Sequence, residues 1–340
     1  MSKVAVLGAG SWGTALALVL ADNGHEVRLW ARREEQIKEI NEHHTNTQYL
    51  PNISLPQNVE GFINLEDAVY DVETVLLVVP TKAIRRAVQD LLLALKQPVT
   101  VVHASKGIEP GTHKRISEMI EEECQESHLI KDVVVLSGPS HAEEVSLRQP
   151  TTVTVSSKKQ LVAERAQELF INQHFRVYTN MDLIGVEIGG ALKNTIALAC
   201  GLTNGLGLGD NTKAAIMTRG LAEITRVGVK LGADPLTFAG LSGLGDLIVT
   251  CTSIHSRNWR AGQMIGQGKS LEEVLDNMGM VVEGIRTTKA AYELAKKLEV
   301  DMPITEALHA VLFDGVMPRD AAEQLMGRVR KHEVEPFQVF

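Results

Sequence analysis

The chain has 340 residues and a net charge of -8, and 44% of its residues are hydrophobic while 22% are charged. These values are typical of a soluble globular protein long enough for two domains with separate cores, and they argue against a general binder of nucleic acid. Cys124, Cys200 and Cys251 lie far apart without zinc-type spacing, so we predict neither a disulfide nor a metal site.

The chain opens with a strand, a glycine-rich turn and a helix. Lys3–Leu7 is an apolar run typical of a buried strand, and Gly8-Ala-Gly-Ser-Trp-Gly13 leads from it into a helix over Thr14–Asn23. In this context the turn predicts dinucleotide binding, with helix amides facing the anion. Gly8 permits a tight turn, Gly10 lets the backbone approach a pyrophosphate, and Gly13 allows close packing. The alternative is a purely structural turn.

The end of the second predicted strand, Glu26–Trp30, indicates which cofactor is bound. NAD calls for an acidic residue there, which would hold the ribose 2′-hydroxyl. The chain reads Ala31-Arg32-Arg33 instead. Two guanidinium groups suit a 2′-phosphate, so we predict NADPH as the favoured cofactor and NADH as the second. The alternative is that Arg32 and Arg33 are solvated charges at the start of a helix over Glu34–Glu42.

Strands then alternate with helices as far as residue 180. We predict Asn41–Pro56 as a long loop, and the paired histidines within it as loop surface rather than metal ligands. The later predicted strands are Thr74–Val79, Val99–His103, Val133–Leu136, Thr151–Ser157 and Phe175–Thr179, with helices over Thr81–Lys96 and Lys158–Phe170. This alternation predicts a doubly wound parallel sheet that binds ligands at the carboxyl ends of its strands. Lys106 and the turn Gly138–Ala142 fall at such ends.

No strand run recurs with any strength after Asp182. The predicted helices there are Asp182–Leu202, Lys213–Leu231, Pro235–Ala239, Arg257–Ile265, Leu271–Asn277, Thr287–Leu298 and Ile304–Asp314. We therefore predict an α/β protein in which a Rossmann-type, doubly wound, dinucleotide-binding domain over 1–181 precedes an all-helical domain for substrate binding and catalysis over 182–340.

Lys193 lies on an unusual helical face. The other members of that face are small: Gly189, Ala197 and Cys200. A glycine inside a helix costs roughly 0.5–1 kcal/mol relative to alanine, and a surface lysine gains nothing from it. The spacing suggests a lysine that points into a site. The alternative is a solvated lysine on a helix that uses glycine for tight packing.

Two further polar clusters lie in the second half of the chain. Leu241–Asp246 places a carboxylate after a glycine-rich turn, and Ser256-Arg257-Asn258 stands at the start of a predicted helix. A helix N-terminus with this hydroxyl, guanidinium and amide suits a phosphate monoester. The alternative for Ser256 is a plain N-cap.

A nicotinamide cofactor implies hydride transfer, and the protein must then supply a proton donor or acceptor for the hydroxyl and carbonyl pair. Lys193 is the leading candidate. A buried ammonium beside a second cation has a lowered pKa, which suits acid–base work, and Lys106 is the candidate for that cation. Asp246 would orient the ammonium or relay protons.

The chain also resembles a known family. Seven motifs resemble, in order, those of bacterial NAD(P)-dependent glycerol-3-phosphate dehydrogenase: Gly8-Ala-Gly-Ser-Trp-Gly-Thr14, Ser105-Lys-Gly107, Ser137-Gly-Pro-Ser140, Gly190-Ala-Leu-Lys-Asn-Thr195, Gly243-Leu-Gly-Asp246, His255-Ser-Arg-Asn258 and Val282-Glu-Gly284. The resemblance implies reversible reduction of dihydroxyacetone phosphate to sn-glycerol 3-phosphate with NADPH or NADH, feeding phospholipid synthesis. It also implies a homodimer formed through the helical domain.

The resemblance further implies the roles of individual residues. Lys193 would accept the proton in the oxidation direction. Substrate would be held by Lys106, Gly138, Ser140, Lys193, Asp246, Ser256, Arg257 and Asn258. The cofactor would be held by the glycine turn with Ser11, Trp12, Arg32, Arg33, Lys106, Ala142, Arg257, Val281 and Glu283.

Two rival functions remain open at this point. One is another two-domain dehydrogenase with a catalytic lysine, acting on a sugar acid or 3-hydroxy acid, although a carboxylate substrate does not require the cluster at Ser256. The other is a non-catalytic protein that senses NADPH. Because the chain shows no basic and apolar leader and no long uninterrupted apolar segment, we predict a cytoplasmic protein without membrane insertion.

Overall fold

The computed structural model describes residues 2–278, 282–330 and 332–333. It separates into two compact units, the first comprising the chain up to Lys106 together with Arg115–Leu183, and the second Gly107–Lys114 with the chain from Ile184 onward. The domain boundary predicted near residue 181 did not anticipate that the short segment Gly107–Lys114 belongs to the second unit. This segment joins the second unit because Ile108, which is only 2% exposed, packs in that unit's core.

An eight-stranded sheet forms the centre of the first unit. The strands of the chain are β1 Lys3–Leu7, β2 Glu26–Trp30, β3 Thr45–Asn46, β4 Leu50–Ser54, β5 Val59–Phe62, β6 Thr74–Leu77, β7 Val99–His103, β8 Ile130–Ser137, β9 Thr151–Ser156 and β10 Phe175–Asn180. The sheet order is β10-β9-β8-β7-β6-β1-β2-β5, and β3 pairs separately with β4. The central strands are buried on both faces, which explains their continuous apolar runs.

Helices cover both faces of this sheet. They are α1 Ser11–Asp22, α2 Glu34–His43, α3 Leu65–Ala68, α4 Ile84–Ala94, which follows a 3-10 turn at Thr81–Ala83, α5 Ile116–Glu123, α6 Ala142–Ser146 and α7 Gln160–Phe170. Alternate residues of β1 belong to different cores: Val4 and Val6 share one with α1, while Ala5 and Leu7 share the other with α4. This confirms the predicted doubly wound class.

Two details of the sheet differ from prediction. The sheet is not wholly parallel, because β8 and β9 pair antiparallel. Their connection contains only the five-residue α6, which spans about 7.5 Å and is too short to carry the chain back along the sheet. The predicted loop Asn41–Pro56 is also wrong. It contains the end of α2 and the antiparallel β3–β4 pair, whose short strands and Pro51 obscure the alternating pattern.

The described part of the second unit is helical. Its helices are α8 Leu183–Gly205, α9 Asp210–Lys230, α10 Pro235–Phe238, α11 Asp246–Thr252, α12 Arg257–Gly266, α13 Leu271–Met278, α14 Glu283–Leu298, α15 Pro303–Phe313 and α16 Pro318–Met326, with a π-helical turn at Leu241–Gly245. Of these helices, α11 and α16 were not predicted from the sequence pattern. Two stretches, Leu183–Gly205 and Pro235–Thr252, are long and apolar enough to cross a membrane, but 94% of the apolar window in the first is buried inside the protein. Its hydrophobicity is therefore that of a core helix.

Candidate active site

Two glycines of the turn between β1 and α1 leave no room for a side chain. Gly8 has a φ of +120°, and a Cβ there would lie 2.3 Å from the carbonyl oxygen of Val78. A Cβ on Gly13 would lie 1.8 Å from the carbonyl oxygen of Gly8. These contacts give Gly8 and Gly13 the roles predicted for a tight turn and for close helix packing.

Gly10 is different, because a Cβ at this position would meet nothing within 4 Å. Gly10 is also the N-cap of α1, where no side chain caps the helix and the first turn carries no acidic residue. Open space beside uncapped helix amides is what a phosphate group requires. The turn therefore leaves room for the pyrophosphate of a dinucleotide at Gly10.

The side chain of Arg33 is held in place although it is exposed. Its guanidinium donates to Oε1 of Gln48 at 2.6 Å, Oε1 of Gln36 at 3.2 Å and the hydroxyl of Tyr49 at 3.3 Å. It also stacks 5.5 Å from the centre of the Tyr49 ring. Arg32 is exposed beside it. A guanidinium that is already ordered loses less freedom on binding a phosphate.

Other predicted cofactor and substrate residues lie in the turns of the first unit. Ser11 donates to the carbonyl oxygen of Tyr49 at 2.9 Å, and Trp12 packs partly buried against the core. Lys106 follows β7, and its carbonyl oxygen accepts from Thr81 at 3.2 Å. The structure thus places Lys106 at the carboxyl end of a strand, as predicted.

The turn after β8 contains Gly138, Ser140 and Ala142. Gly138 has a φ of +144°, and a Cβ there would lie 2.9 Å from Cα of Val153, so the position admits only glycine without strain. Ser140 donates to the carbonyl oxygen of Gly138 at 2.9 Å, and Ala142 begins α6. This turn also lies at the carboxyl end of its strand.

Lys193 and Asp246 form a buried ion pair in the second unit. Their side chains are 7% and 1% exposed. The ammonium Nζ of Lys193 bonds to Oδ1 of Asp246 and donates to Oγ1 of Thr250 at 2.8 Å. Thr250 in turn donates to the carbonyl oxygen of Asp246 at 2.6 Å. The alternative of a solvated lysine is therefore wrong.

The small residue Gly189 explains how this pair forms. A Cβ on Gly189 would lie 2.6 Å from the carbonyl oxygen of Ser242, in the π-helical turn. Because α8 has no side chain here, the turn packs directly on it and α11, which begins at Asp246, starts beside Lys193. The helical face that contains Gly189 therefore allows the π-helical turn of the same unit to pack closely beside Lys193, as the spacing suggested.

Two cysteines, Cys200 and Cys251, lie near this pair as buried thiols. Burial raises the pKa of the Cys251 thiol well above its ordinary value, and hydrogen bonding with the Cys200 thiol raises it further. Both side chains are fully buried and free of disulfides. In the described ranges of the chain, no group of three or more His, Cys, Asp or Glu residues could hold a metal ion.

The predicted phosphate cluster lies at the start of α12. Ser256 is the N-cap, and its Oγ accepts from the amide of Trp259 at 3.2 Å, as the alternative interpretation proposed. Arg257 is the first residue of the helix and is exposed. The Asn258 side chain donates to Oδ1 of Asn194 at 2.9 Å and accepts from the amide of Gly284 at 2.8 Å. Asn258 thus joins α8, α12 and the start of α14.

One other predicted cofactor residue, Glu283, belongs to the same region. Glu283 is the first residue of α14 and is half-buried. Val281 lies outside the described residues. Sequence reasoning missed Thr250 and Asn194. Thr250 follows Asp246 by four residues, a helical spacing that would have identified it if α11 had been predicted.

Comparison with known proteins identifies the family. The family models described as the N-terminus and C-terminus of NAD-dependent glycerol-3-phosphate dehydrogenase match residues 3–163 and 182–323. A glycerol-3-phosphate dehydrogenase (NAD(P)+) from Halalkalibacterium halodurans is 73% identical over 335 residues, covering 98% of this chain and 96% of that protein. One from Bacillus cytotoxicus is 69% identical, covering 98% of each chain.

A solved structure supports the same assignment. The crystal structure of glycerol-3-phosphate dehydrogenase from Coxiella burnetii is 36% identical, with a TM-score of 0.90, and the match covers 96% of this chain and 99% of that one. The resemblance seen in the seven sequence motifs is therefore confirmed. The chain belongs to the family of NAD-dependent glycerol-3-phosphate dehydrogenases.

Proposed function

We propose that the protein catalyses the reversible NAD(P)H-dependent reduction of dihydroxyacetone phosphate to sn-glycerol 3-phosphate and so supplies glycerophospholipid synthesis. The observation that carries this proposal is the buried Lys193, which is paired with Asp246 and held by Thr250 in a chain of this family. Burial and two positioned partners give the ammonium the fixed direction that proton transfer needs.

The residues of the chain have separate tasks in this reaction. The nicotinamide, when bound, supplies the hydride in reduction and takes it back in oxidation. Lys193 donates a proton to the carbonyl oxygen of the substrate in reduction and accepts the hydroxyl proton in oxidation. Asp246 and Thr250 orient Nζ of Lys193. Residues 1–181 are the proposed cofactor-binding domain and residues 182–340 the proposed substrate and catalytic domain.

The remaining predicted residues bind the two ligands in this proposal. Arg257 and Ser256 at the N-terminus of α12 hold the phosphate of the substrate, with Asn258 keeping that helix against α8. Lys106, Gly138 and Ser140 are also substrate-binding residues in this proposal. The cofactor is held by the glycine turn, Ser11, Trp12, Arg32, Arg33, Lys106, Ala142, Arg257, Val281 and Glu283.

The test of the reaction is the oxidation of NADPH, followed at the nicotinamide absorbance band, with dihydroxyacetone phosphate and with unphosphorylated dihydroxyacetone. We expect rapid oxidation only with the phosphorylated substrate. No oxidation by folded protein that binds NADPH would favour the rival functions, first a dehydrogenase of another substrate and then a sensor.

Arg33→Ala is expected to narrow the preference for NADPH over NADH. The structure holds this guanidinium at the end of β2, where the ribose of a dinucleotide lies in doubly wound folds. Loss of a charge-assisted bond to the 2′-phosphate should lower kcat/KM for NADPH about tenfold and leave NADH nearly unchanged. Arg148→Ala is the matched control, since Arg148 is exposed and pairs with Asp22 at the far end of α1. An equal loss with both cofactors would remove Arg33 from the 2′-phosphate site.

We also propose that the protein is a cytoplasmic homodimer. The second unit exposes the apolar side chains of Leu236, Leu244, Ile248 and Ile254, which a partner would cover. The free cysteines suit a reducing compartment. Light scattering should give about twice the chain mass of 37.1 kDa, and the mass of a single chain would contradict the dimer.

A further inference from the structure

Two buried amide side chains meet at the carbonyl group in the middle of the glycine turn. Gln36 of α2 and Asn46 of β3 are 8% and 1% exposed. The carbonyl oxygen of Ala9 accepts from Nε2 of Gln36 at 2.6 Å and from Nδ2 of Asn46 at 3.0 Å. Asn46 also donates to Oγ1 of Thr14 at 2.8 Å, on the first turns of α1. Neither side-chain amide is needed for the backbone hydrogen bonds that pair the strands of the sheet.

These bonds determine the orientation of one peptide unit. In a planar trans peptide, the C=O of one residue and the N–H of the next point in opposite directions, and the described chain has no cis peptide bonds. Two donors that hold the Ala9 oxygen therefore turn the Gly10 N–H away from Gln36 and Asn46. Gly10 is the N-cap of α1, and the space beside its Cα is open.

We propose that Gln36 and Asn46 are positioning residues for the cofactor: they fix the Ala9–Gly10 peptide so that the Gly10 N–H faces the pyrophosphate of the bound dinucleotide. The inference rests on the proposed cofactor role of the glycine turn. A peptide that is already turned toward the anion does not have to reorient on binding, so the affinity for the dinucleotide rises.

Gln36 has a second contact that Asn46 lacks. Its Oε1 accepts from Nη2 of Arg33 at 3.2 Å, while its Nε2 donates to Ala9. Gln36 thus connects the glycine turn to the guanidinium proposed for the 2′-phosphate, whereas Asn46 contacts Ala9, Thr14 and Gln36. The two residues should therefore differ in which part of the cofactor they affect.

The test compares two ligands in the full-length protein carrying Asn46→Leu, a substitution that removes both donated bonds without adding charge. We expect the dissociation constant for NADPH, measured by fluorescence titration, to rise at least about tenfold. The constant for adenosine 2′-monophosphate, which keeps the 2′-phosphate but has no 5′-phosphate to place at the glycine turn, should stay within about twofold. Gln36→Met should weaken both ligands, because it also removes the Arg33 contact.

Asn58→Leu is the matched control. The side-chain amide of Asn58 donates to the carbonyl oxygens of Ala21 at 2.9 Å and His25 at 2.8 Å, around the C-terminal end of α1. We expect Asn58→Leu to lower the thermal unfolding midpoint, as Asn46→Leu should, but to leave the dissociation constant for NADPH unchanged. Three results would overturn the proposal. The first is an equal loss of NADPH affinity in Asn46→Leu and Asn58→Leu, and the second is an equal loss of affinity for both ligands in Asn46→Leu. The third is unchanged NADPH binding in Asn46→Leu. If Asn46→Leu does not fold, Gln36→Met decides by whether it weakens NADPH more than the 2′-phosphate ligand, because loss of the Arg33 contact alone would weaken the two ligands equally. None of these binding results depends on whether the protein reduces dihydroxyacetone phosphate.

Discussion

Lys193→Met is expected to lower kcat for dihydroxyacetone phosphate reduction roughly 10²- to 10⁴-fold, the usual contribution of a positioned acid or base. Methionine keeps much of the length of the side chain and removes the proton donor. NADPH should still bind, because the glycine turn that fits the pyrophosphate belongs to the first unit and is unchanged. Steady-state turnover and a separate NADPH titration measure the two effects.

The same substitution should also destabilise the protein. It leaves the carboxylate of Asp246, which is 1% exposed, without its ammonium partner. Breaking a buried ion pair in this way costs about 3–5 kcal/mol of unfolding free energy. The double variant Lys193→Met/Asp246→Asn removes the buried charge and should regain much of the stability while turnover stays lost, which separates a catalytic defect from misfolding.

Lys297→Met is the control for Lys193→Met, because Lys297 is an exposed residue of α14. Its turnover should be that of the unchanged protein, and its stability should differ by no more than about 0.5 kcal/mol. If the double variant folds and retains a substantial rate, the proton donor lies elsewhere and the mechanism proposed for Lys193 is wrong.

Gly10→Ala is expected to leave folding intact and weaken NADPH binding strongly. Its backbone angles, φ -78° and ψ -178°, are open to any residue, and the added Cβ meets nothing within 4 Å. The methyl group would instead occupy the space proposed for the pyrophosphate. Loss of charge-assisted bonds to backbone amides should raise the dissociation constant at least about tenfold, measured by fluorescence titration beside thermal unfolding.

The chain offers a matched glycine for comparison. Gly209 is the N-cap of α9, lacks a side-chain cap, and would also place a Cβ in open space. Gly209→Ala should therefore change neither stability nor NADPH affinity. Normal NADPH binding by Gly10→Ala would show that the pyrophosphate does not approach the turn at this position.

Much of the first unit could be predicted because its signals are local. β1, β2 and β7 have the residues predicted for them. β1 and β7 are largely buried runs of a few apolar residues, and β2 alternates between buried apolar and half-buried residues; both are local patterns typical of strands. The β3–β4 pair and β5 were missed because they are short and half-exposed, with weak periodicity. Their pairing depends on neighbours such as α2 and β2 that no local pattern reveals.

By itself, the sequence determined the class of the protein: strands, helices and a glycine turn are encoded within a few neighbouring residues, and the order of motifs pointed to the family. It also singled out Lys193, because glycine beside lysine is costly on a surface helix. Only the tertiary structure decided what that lysine meets. Asp246 and Thr250 lie 53 and 57 residues from it along the chain, and packing of α11 against the Gly189 face, not any local pattern, brings their side chains to its ammonium.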